Sequence, residues 1–158
     1  MYIVCTLVAA GILLLDMFTK TLAIEHLTKV PTLPVIKNVF HLTYCENTGA
    51  AFSMFSGKPY ILAVISLVLV AILVGYIALK KPKSRVLMLS LTAIAAGGLG
   101  NIIDRFTRGF VVDFFDFRLI NFAIFNVADI AVCCGVVLLG IYLFFIQDKM
   151  GQKNDIQN

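Results

Sequence analysis

Several polar side chains fall where an apolar chain has least use for them. Asp16 and Lys20 lie in "LDMFTK", Asn101, Asp104 and Arg105 in "GNIIDR", and Asn126 and Asp129 in "FNVADI", each within or at the end of a long apolar run. A carboxylate at the centre of a membrane helix costs about 2.5–3.5 kcal/mol on insertion scales, so such groups face a bundle interior or a wet cavity and mark function. Asp129 is the hardest to explain structurally, because no cation stands three or four residues from it in either direction. Its candidate partners are Asp104 and the two acids of "VVDFFDF", Asp113 and Asp116. Two close carboxylates cannot both ionise; they share a proton and their pKa values split. One then draws a proton from water while the other protonates a carbonyl oxygen or a leaving nitrogen. Asn or Arg donors nearby can stabilise the tetrahedral intermediate. The chemistry on offer is peptide hydrolysis with no metal and no cofactor, and the residues alone leave Asp129's partner open among Asp104, Asp113 and Asp116.

Other chemistries lack their parts. The chain has no H-E-x-x-H helix motif for a zinc peptidase and no G-x-S-x-G nucleophile turn. Its two histidines, His26 and His41, lie outside the apolar runs and fit no zinc spacing. Cys5, Cys45, Cys133 and Cys134 form no C-x-x-C and no disulfide framework, and read as small apolar fillers. The net charge of +4 is not arranged as a basic stripe with interleaved aromatics, so nucleic acid is not an expected partner.

The elements that must position these residues follow from composition. The chain is 60% hydrophobic and only 14% charged, too little polar surface to cover a soluble domain. Four apolar runs approach the ~20 residues that cross the hydrocarbon. They cover about 2–24 (interrupted by "DMFTK"), 60–79, 86–103 and 122–146. The expected architecture is an all-α membrane protein of one domain, residues 1–158, with four transmembrane helices. The first run has no basic leader and no A-x-A cleavage site before a soluble domain, so it reads as a retained helix. The connections expected outside the cytoplasm are about 25–59 and 104–121. Residues 35–55, "VIKNVFHLTYCENTGAAFSMF", are rich in β-branched and aromatic side chains, and read as short strands at the membrane surface.

The basic turn "KKPKSR" (80–85) should be cytoplasmic by the density of its Lys and Arg, which places both termini in the cytoplasm and both polar connections outside. Counting the rise along helices from those faces puts Asn126 roughly 6 Å, Asp129 roughly 10 Å and Asp16 roughly 12 Å into the outer half. Asn101–Asp104 and Asn126–Asp129 share helix faces at a spacing of three. Asp16–Lys20 reads as an i, i+4 ion pair with Lys20 snorkelling outward. Asp104–Arg105 reads as a surface arrangement at a helix end, and "GGLG" (97–100) as a close helix-packing surface.

"LDMFTK", "NTGAAFS" (47–53), "GNIIDR", "GFVVDFFDF" (109–117) and "FNVADI" occur together and in order, and this set closely resembles bacterial lipoprotein signal peptidase, or signal peptidase II. The resemblance spans nearly the whole chain. It implies four helices with a small extracytoplasmic β-cradle and an outer loop or short helical flap. It implies an aspartyl endopeptidase of the inner, cytoplasmic membrane, with its active site near the extracytoplasmic face. The family removes the signal peptide from diacylglyceryl-modified prolipoproteins, cutting before the lipidated cysteine. The catalytic pair then falls on Asp113 and Asp129, with Asp16, Lys20, Asn47, Gly49, Asn101, Asp104, Arg105 and Asn126 around it. Asp16 and the Asp104–Arg105 pair accordingly move from structural to site roles. Membrane lipids and globomycin-type lipopeptide inhibitors are the other expected partners, no metal or cofactor is expected, and a monomer suffices. Ile130 stands where a serine often follows the aspartate, with no evident loss of chemistry.

The competing reading is a small proton-coupled carrier with Asp16 and Asp129 as relay groups. N-x-x-D at 101–104 and 126–129 is too short to make an inverted repeat, and the acids stop in one half where a relay should continue.

Overall fold

Caps, more than hydropathy, decide where the helices stop. The computed structural model describes residues 1–49, 57–120 and 122–146. Helix α1 (Tyr2–Leu27) is followed by strands β1 (Leu33–Ile36) and β2 (Phe40–Asn47), helices α2 (Pro59–Lys80) and α3 (Arg85–Arg108), strand β3 (Val111–Phe117), a 3-10 turn (Arg118–Ile120) and helix α4 (Val127–Ile141), which ends in a π-helical turn at Tyr142–Ile146. The four apolar helices are each long enough to cross a membrane. Pro59 opens α2 at its first turn, where a missing N–H costs nothing. Lys81 closes it in the left-handed conformation, and Ser84 caps α3 two residues after Pro82.

Three helix boundaries differ from the sequence expectation. α1 runs unbroken through "DMFTK" to Leu27, because Asp16 and Lys20 neutralise one another inside the bundle. α3 continues past residue 103 to Arg108, where Gly109 (φ 81°) supplies the left-handed stop. Asp104 and Arg105 therefore belong to its last turns and not to a loop. α4 begins at Val127 and not near Phe122, because Phe125 is held in extended pairing with Phe115 by backbone bonds of 2.8 and 3.1 Å. The depths counted from Phe122 are corrected accordingly: Asp129 lies in the first turn of α4.

The three strands form one antiparallel sheet in the order β1-β2-β3 at the end of the bundle where α1 and α3 finish. The strand-like reading of 35–55 is matched by β1 and β2; residues 50–56 lie outside the described chain, as do those after 146. β3 was not expected as a strand, although "VVDFFDF" has the β-branched and aromatic composition of one. Its alternation sends Asp113 and Asp116 to opposite faces. Ala23 and Leu27 of α1 pack with Val112 and Phe114 of β3 in a small core that fixes the sheet on the bundle.

α3 is the central helix, packed against all three others. Its apolar span is 56% buried inside the protein, against 11% for α1 and α2, whose Ile3, Leu14, Val68 and Ile72 face outward as lipid-facing side chains do. The "GGLG" surface makes the central position possible. A Cβ on Gly97 would stand 2.3 Å from the carbonyl oxygen of Ala128, and one on Gly100 would stand 2.7 Å from an Asp16 carboxylate oxygen. Gly98 turns instead toward Val70 of α2.

Candidate active site

β3 turns Asp113 away from its α1-packed face and toward the start of α4, where its side chain is almost wholly buried. Its Oδ2 accepts from Asn47 Nδ2 at 2.9 Å, and its Oδ1 from Asn126 Nδ2 at 2.6 Å. α4 brings up Asp129 from the other side. Its Oδ1 accepts from Asn101 Nδ2 at 2.8 Å and its Oδ2 from the Asn126 backbone N–H at 3.2 Å. Asn126 caps α4 through its own Oδ1, which accepts the Asp129 N–H at 2.9 Å. This reciprocal capping replaces the shared helix face expected for Asn126 and Asp129. It also fixes which end of the Asn126 amide faces Asp113: the oxygen is committed to the helix, so the amino group points at the carboxylate.

Asn101 is oriented in the same way. Its Oδ1 accepts from Lys20 Nζ at 3.0 Å and from Asn126 Nδ2 at 3.1 Å, leaving its amino group for Asp129. Lys20 does not snorkel: it is 1% exposed. Its ammonium lies 2.7 Å from Asp16 Oδ2 and 2.9 Å from Asp104 Oδ2. The three partners match the three donors of an ammonium. Asp16 Oδ1 reaches the first turn of α4, accepting from the Ala128 N–H at 2.9 Å, where the helix dipole favours a negative charge. Asp104 also pairs with Arg108 and accepts from the Val112 N–H of β3 at 3.2 Å. This cluster ties α1, α3, α4 and the sheet together behind the Asp113–Asp129 pair.

Asp104 and Arg105 are not a surface pair, since both are buried and they have different partners. Arg105 donates from Nη2 to the Gly49 carbonyl at 2.7 Å and from Nη1 to the Asn101 carbonyl at 3.3 Å. The Gly49 N–H in turn donates to Asn47 Oδ1 at 2.9 Å, which turns the Asn47 amino group toward Asp113. Thus Asn47, Gly49, Asn101, Arg105 and Asn126 converge on the two carboxylates. "NTGAAFS" is visible only as far as Gly49; Ala50–Ser53 are outside the described residues.

Asp113 and Asp129 open on a cavity of about 640 Å³. Asn47, Gly49, Asn101 and Arg105 form its polar wall, while Phe122–Phe125 and the Ile130–Cys134 stretch of α4 supply an apolar one. Cys45, Cys133 and Cys134 line it too, so the filler reading of the cysteines fits the buried Cys5 better than these three. Sequence reasoning also passed over Glu46, which lies on the cavity wall beside Asn47. Its strand position next to "NTG" was the available signal.

Of the three acids weighed as partners of Asp129, only Asp113 faces the cavity. Burial, together with the nearby Asp129 charge, pushes the Asp113 carboxyl up to about 7, against the lowering effect of its two amide donors. Asp104 is committed to Lys20 and Arg108. Asp116 sits on the opposite face of β3, bonded to Thr43 Oγ1 at 2.7 Å and Arg118 Nε at 2.9 Å. Burial raises its pKa, but the Thr43 hydrogen bond and Arg118 outweigh it and hold the carboxyl below the ordinary range.

The sequence matches the family model of Signal peptidase (SPase) II over residues 8–145. It is 40% identical over 149 residues to the lipoprotein signal peptidase of Clostridium acetobutylicum, covering 92% of this chain and 96% of that one. It is 43% identical over 138 residues to that of Caldanaerobacter subterraneus, covering 87% and 94%. A solved bacterial membrane enzyme superposes with a TM-score of 0.82 at 31% identity, over 89% of this chain and 87% of that one.

Proposed function

Because the chain belongs to the signal peptidase II family, we propose that Asp113 and Asp129 are its catalytic dyad. The chain is a multi-pass bacterial membrane peptidase that removes signal peptides from lipoproteins. The observation that carries the dyad is the double role of Asn126. One residue clamps Asp113 with its amide and Asp129 with its backbone N–H, at the wall of a cavity that both acids line.

The dyad holds one shared proton at neutral pH. The ionised carboxylate takes a proton from a water molecule as that water's oxygen attacks the scissile carbonyl carbon. The protonated partner gives its proton to the carbonyl oxygen, forming a gem-diol intermediate. Collapse of the intermediate breaks the C–N bond: the leaving nitrogen takes the dyad's proton, one gem-diol hydroxyl gives its proton back to the dyad as its oxygen becomes the carbonyl of the new carboxyl group, and the pair ends with one proton again. Arg105, on the cavity wall, places its positive charge where the intermediate's oxygens gain electron density. Asn47, Asn101 and Asn126 hold both carboxylates by neutral donors, so neither is locked into its charged form by a contacting cation.

The substrate is proposed to be a diacylglyceryl-modified prolipoprotein, cut before its lipidated cysteine. Its acyl chains and hydrophobic signal segment suit the apolar wall and the surrounding lipid. A signal peptide threads outward from the cytoplasm, so the sheet end of the bundle is proposed to be extracytoplasmic. The start of α1, the end of α4 and the basic turn at 80–85 then lie together on the cytoplasmic side. Globomycin-type lipopeptides, which offer a peptide and an acyl chain, are proposed to block the same cavity. Every partner of both acids described above comes from one chain, so a monomer suffices. The carrier reading loses its main support, since Asp16 is spent on Lys20 and the Ala128 N–H.

The test is cleavage of a lipidated and an unlipidated prolipoprotein by the purified full chain, with Asp113→Asn and Asp129→Asn beside it. Cleavage of the lipidated form alone, abolished in both variants, is expected. Near-normal turnover by either variant would overturn the dyad.

A further inference from the structure

One charge near the cavity has no counterpart. Behind the dyad, Lys20 and Arg108 balance Asp16 and Asp104. On the cavity wall, the proposed dyad with its single shared proton carries one negative charge, which Arg105 balances. Glu46 is left over. It lies on β2, is exposed, lines the cavity, and makes no ion pair among the described residues. The stretch 50–56, "AAFSMFS", contains no basic residue. Glu46 is also held in place: the Tyr44 hydroxyl donates to its Oε1 at 3.0 Å. Tyr44 stays a donor at physiological pH, because burial and the adjoining glutamate push its pKa up to about 12.

The position of Glu46 says which part of a substrate it meets. The hydrophobic signal segment must stay in the membrane, along the Ile130–Cys134 wall of α4. The residues after the scissile bond must leave toward water, past the sheet. Asn47, the next residue along β2, contacts Asp113 directly, whereas Glu46 pairs with Val112 and turns its side chain to the other face of the sheet, so at the cavity rim it meets residues that have already passed the reaction centre. We propose that Glu46 is a specificity-determining residue that favours prolipoproteins carrying a basic side chain just after the lipidated cysteine and disfavours acidic ones there. The proposal rests on the peptidase reading above.

The experiment uses the full chain in nanodiscs and three diacylglyceryl-modified prolipoprotein substrates. They differ only in Lys, Gln or Glu at the second and third residues of the mature part. An exposed charge pair is a weak interaction, so the Lys-to-Glu ratio of kcat/KM in the wild type is expected to be about two- to tenfold and to shrink with added salt. Glu46→Gln should bring the ratio close to one, and Glu46→Lys should invert it. The ratio is taken within each variant, so a general fall in activity cancels. A wild-type ratio near one, or one that Glu46→Lys leaves unchanged, would overturn the role of Glu46 alone. No cleavage of any substrate by the wild type would sink the peptidase reading and this inference with it.

Discussion

Strand β3 presents two aspartates three residues apart, and its two faces treat them in opposite ways. On the face toward α4, Asp113 is buried beside another acid and receives only neutral amide donors. On the other side, Asp116 lies beside Arg118 and takes a hydroxyl from Thr43. The first carboxyl is pushed up to about 7 and the second is held below its ordinary range. The strand supplies the same residue type twice, and the partner sets decide that one acid can hold a proton while the other is a fixed anion. The Lys20 cluster repeats the lesson deeper in the bundle: there, carboxylates are matched by cations and serve to hold helices together.

The largest effect should come from removing the dyad. Asp113→Asn and Asp129→Asn are each expected to lower kcat by at least the 10²–10⁴-fold typical of a lost general acid or base. Asp116→Asn, on the same strand as Asp113, should leave kcat within a few-fold of wild type. Comparable losses at Asp113 and Asp116 in a single-turnover cleavage assay would erase the distinction between the two faces.

Next in size is the cation that balances the inner cluster. Lys20→Met leaves Asp16 and Asp104 close together without the ammonium between them. Breaking a buried ion pair by removing one partner costs about 3–5 kcal/mol. Thermal unfolding in detergent should show the loss, and Asp16→Asn in the Lys20→Met background should recover part of it. A Lys20→Met protein as stable as wild type would mean that the cluster does not hold the bundle.

The comparison also shows what the sequence could and could not convey. Hydropathy located the spans, because a membrane helix needs an apolar run whatever it packs against. Their ends were less legible. Asn126 reads equally well as a helix residue or a cap, and only the pairing of Phe125 with Phe115 makes it a cap. Lys20 showed its i, i+4 acid but not Asp104, which arrives from another helix 84 positions along the chain. Composition could not choose Asp113 over Asp104 or Asp116, because that choice depends on strand register and on which face meets α4. The ordered motifs chose it by family resemblance, and the geometry is consistent with that choice.

Asn126 joins helix capping to the dyad, and two substitutions can separate these roles. Asn126→Ala removes both the cap, worth about 0.5–2 kcal/mol, and the donor to Asp113. Activity should fall on the order of 10²-fold, as expected when a catalytic group is no longer held in line. Asn126→Ser keeps a capping oxygen but has no amide to donate to Asp113. It should unfold closer to the wild-type temperature than Asn126→Ala while losing as much activity. Equal destabilisation by both variants would show that activity follows the fold alone.

The smallest effect is the pH dependence of stability, and it separates the two faces of β3 by sign. Asp113 has a folded pKa raised to about 7 from an ordinary value of 3.8. Its contribution to stability is therefore complete below about 4 and is lost as pH rises through about 7. Asp116, with its pKa lowered, contributes above its ordinary value of 3.8 and loses that contribution only in more acidic solution. Between pH 5 and 8, the unfolding temperature of wild type minus that of Asp113→Asn should fall with rising pH. The same difference taken against Asp116→Asn should stay flat, offset by about 1 kcal/mol for the lost hydroxyl and guanidinium bonds. Proton loss from the dyad over the same interval should also lower kcat above pH 7. A flat profile for Asp113→Asn against wild type would place the shared proton elsewhere and leave Asp113 no different from Asp116.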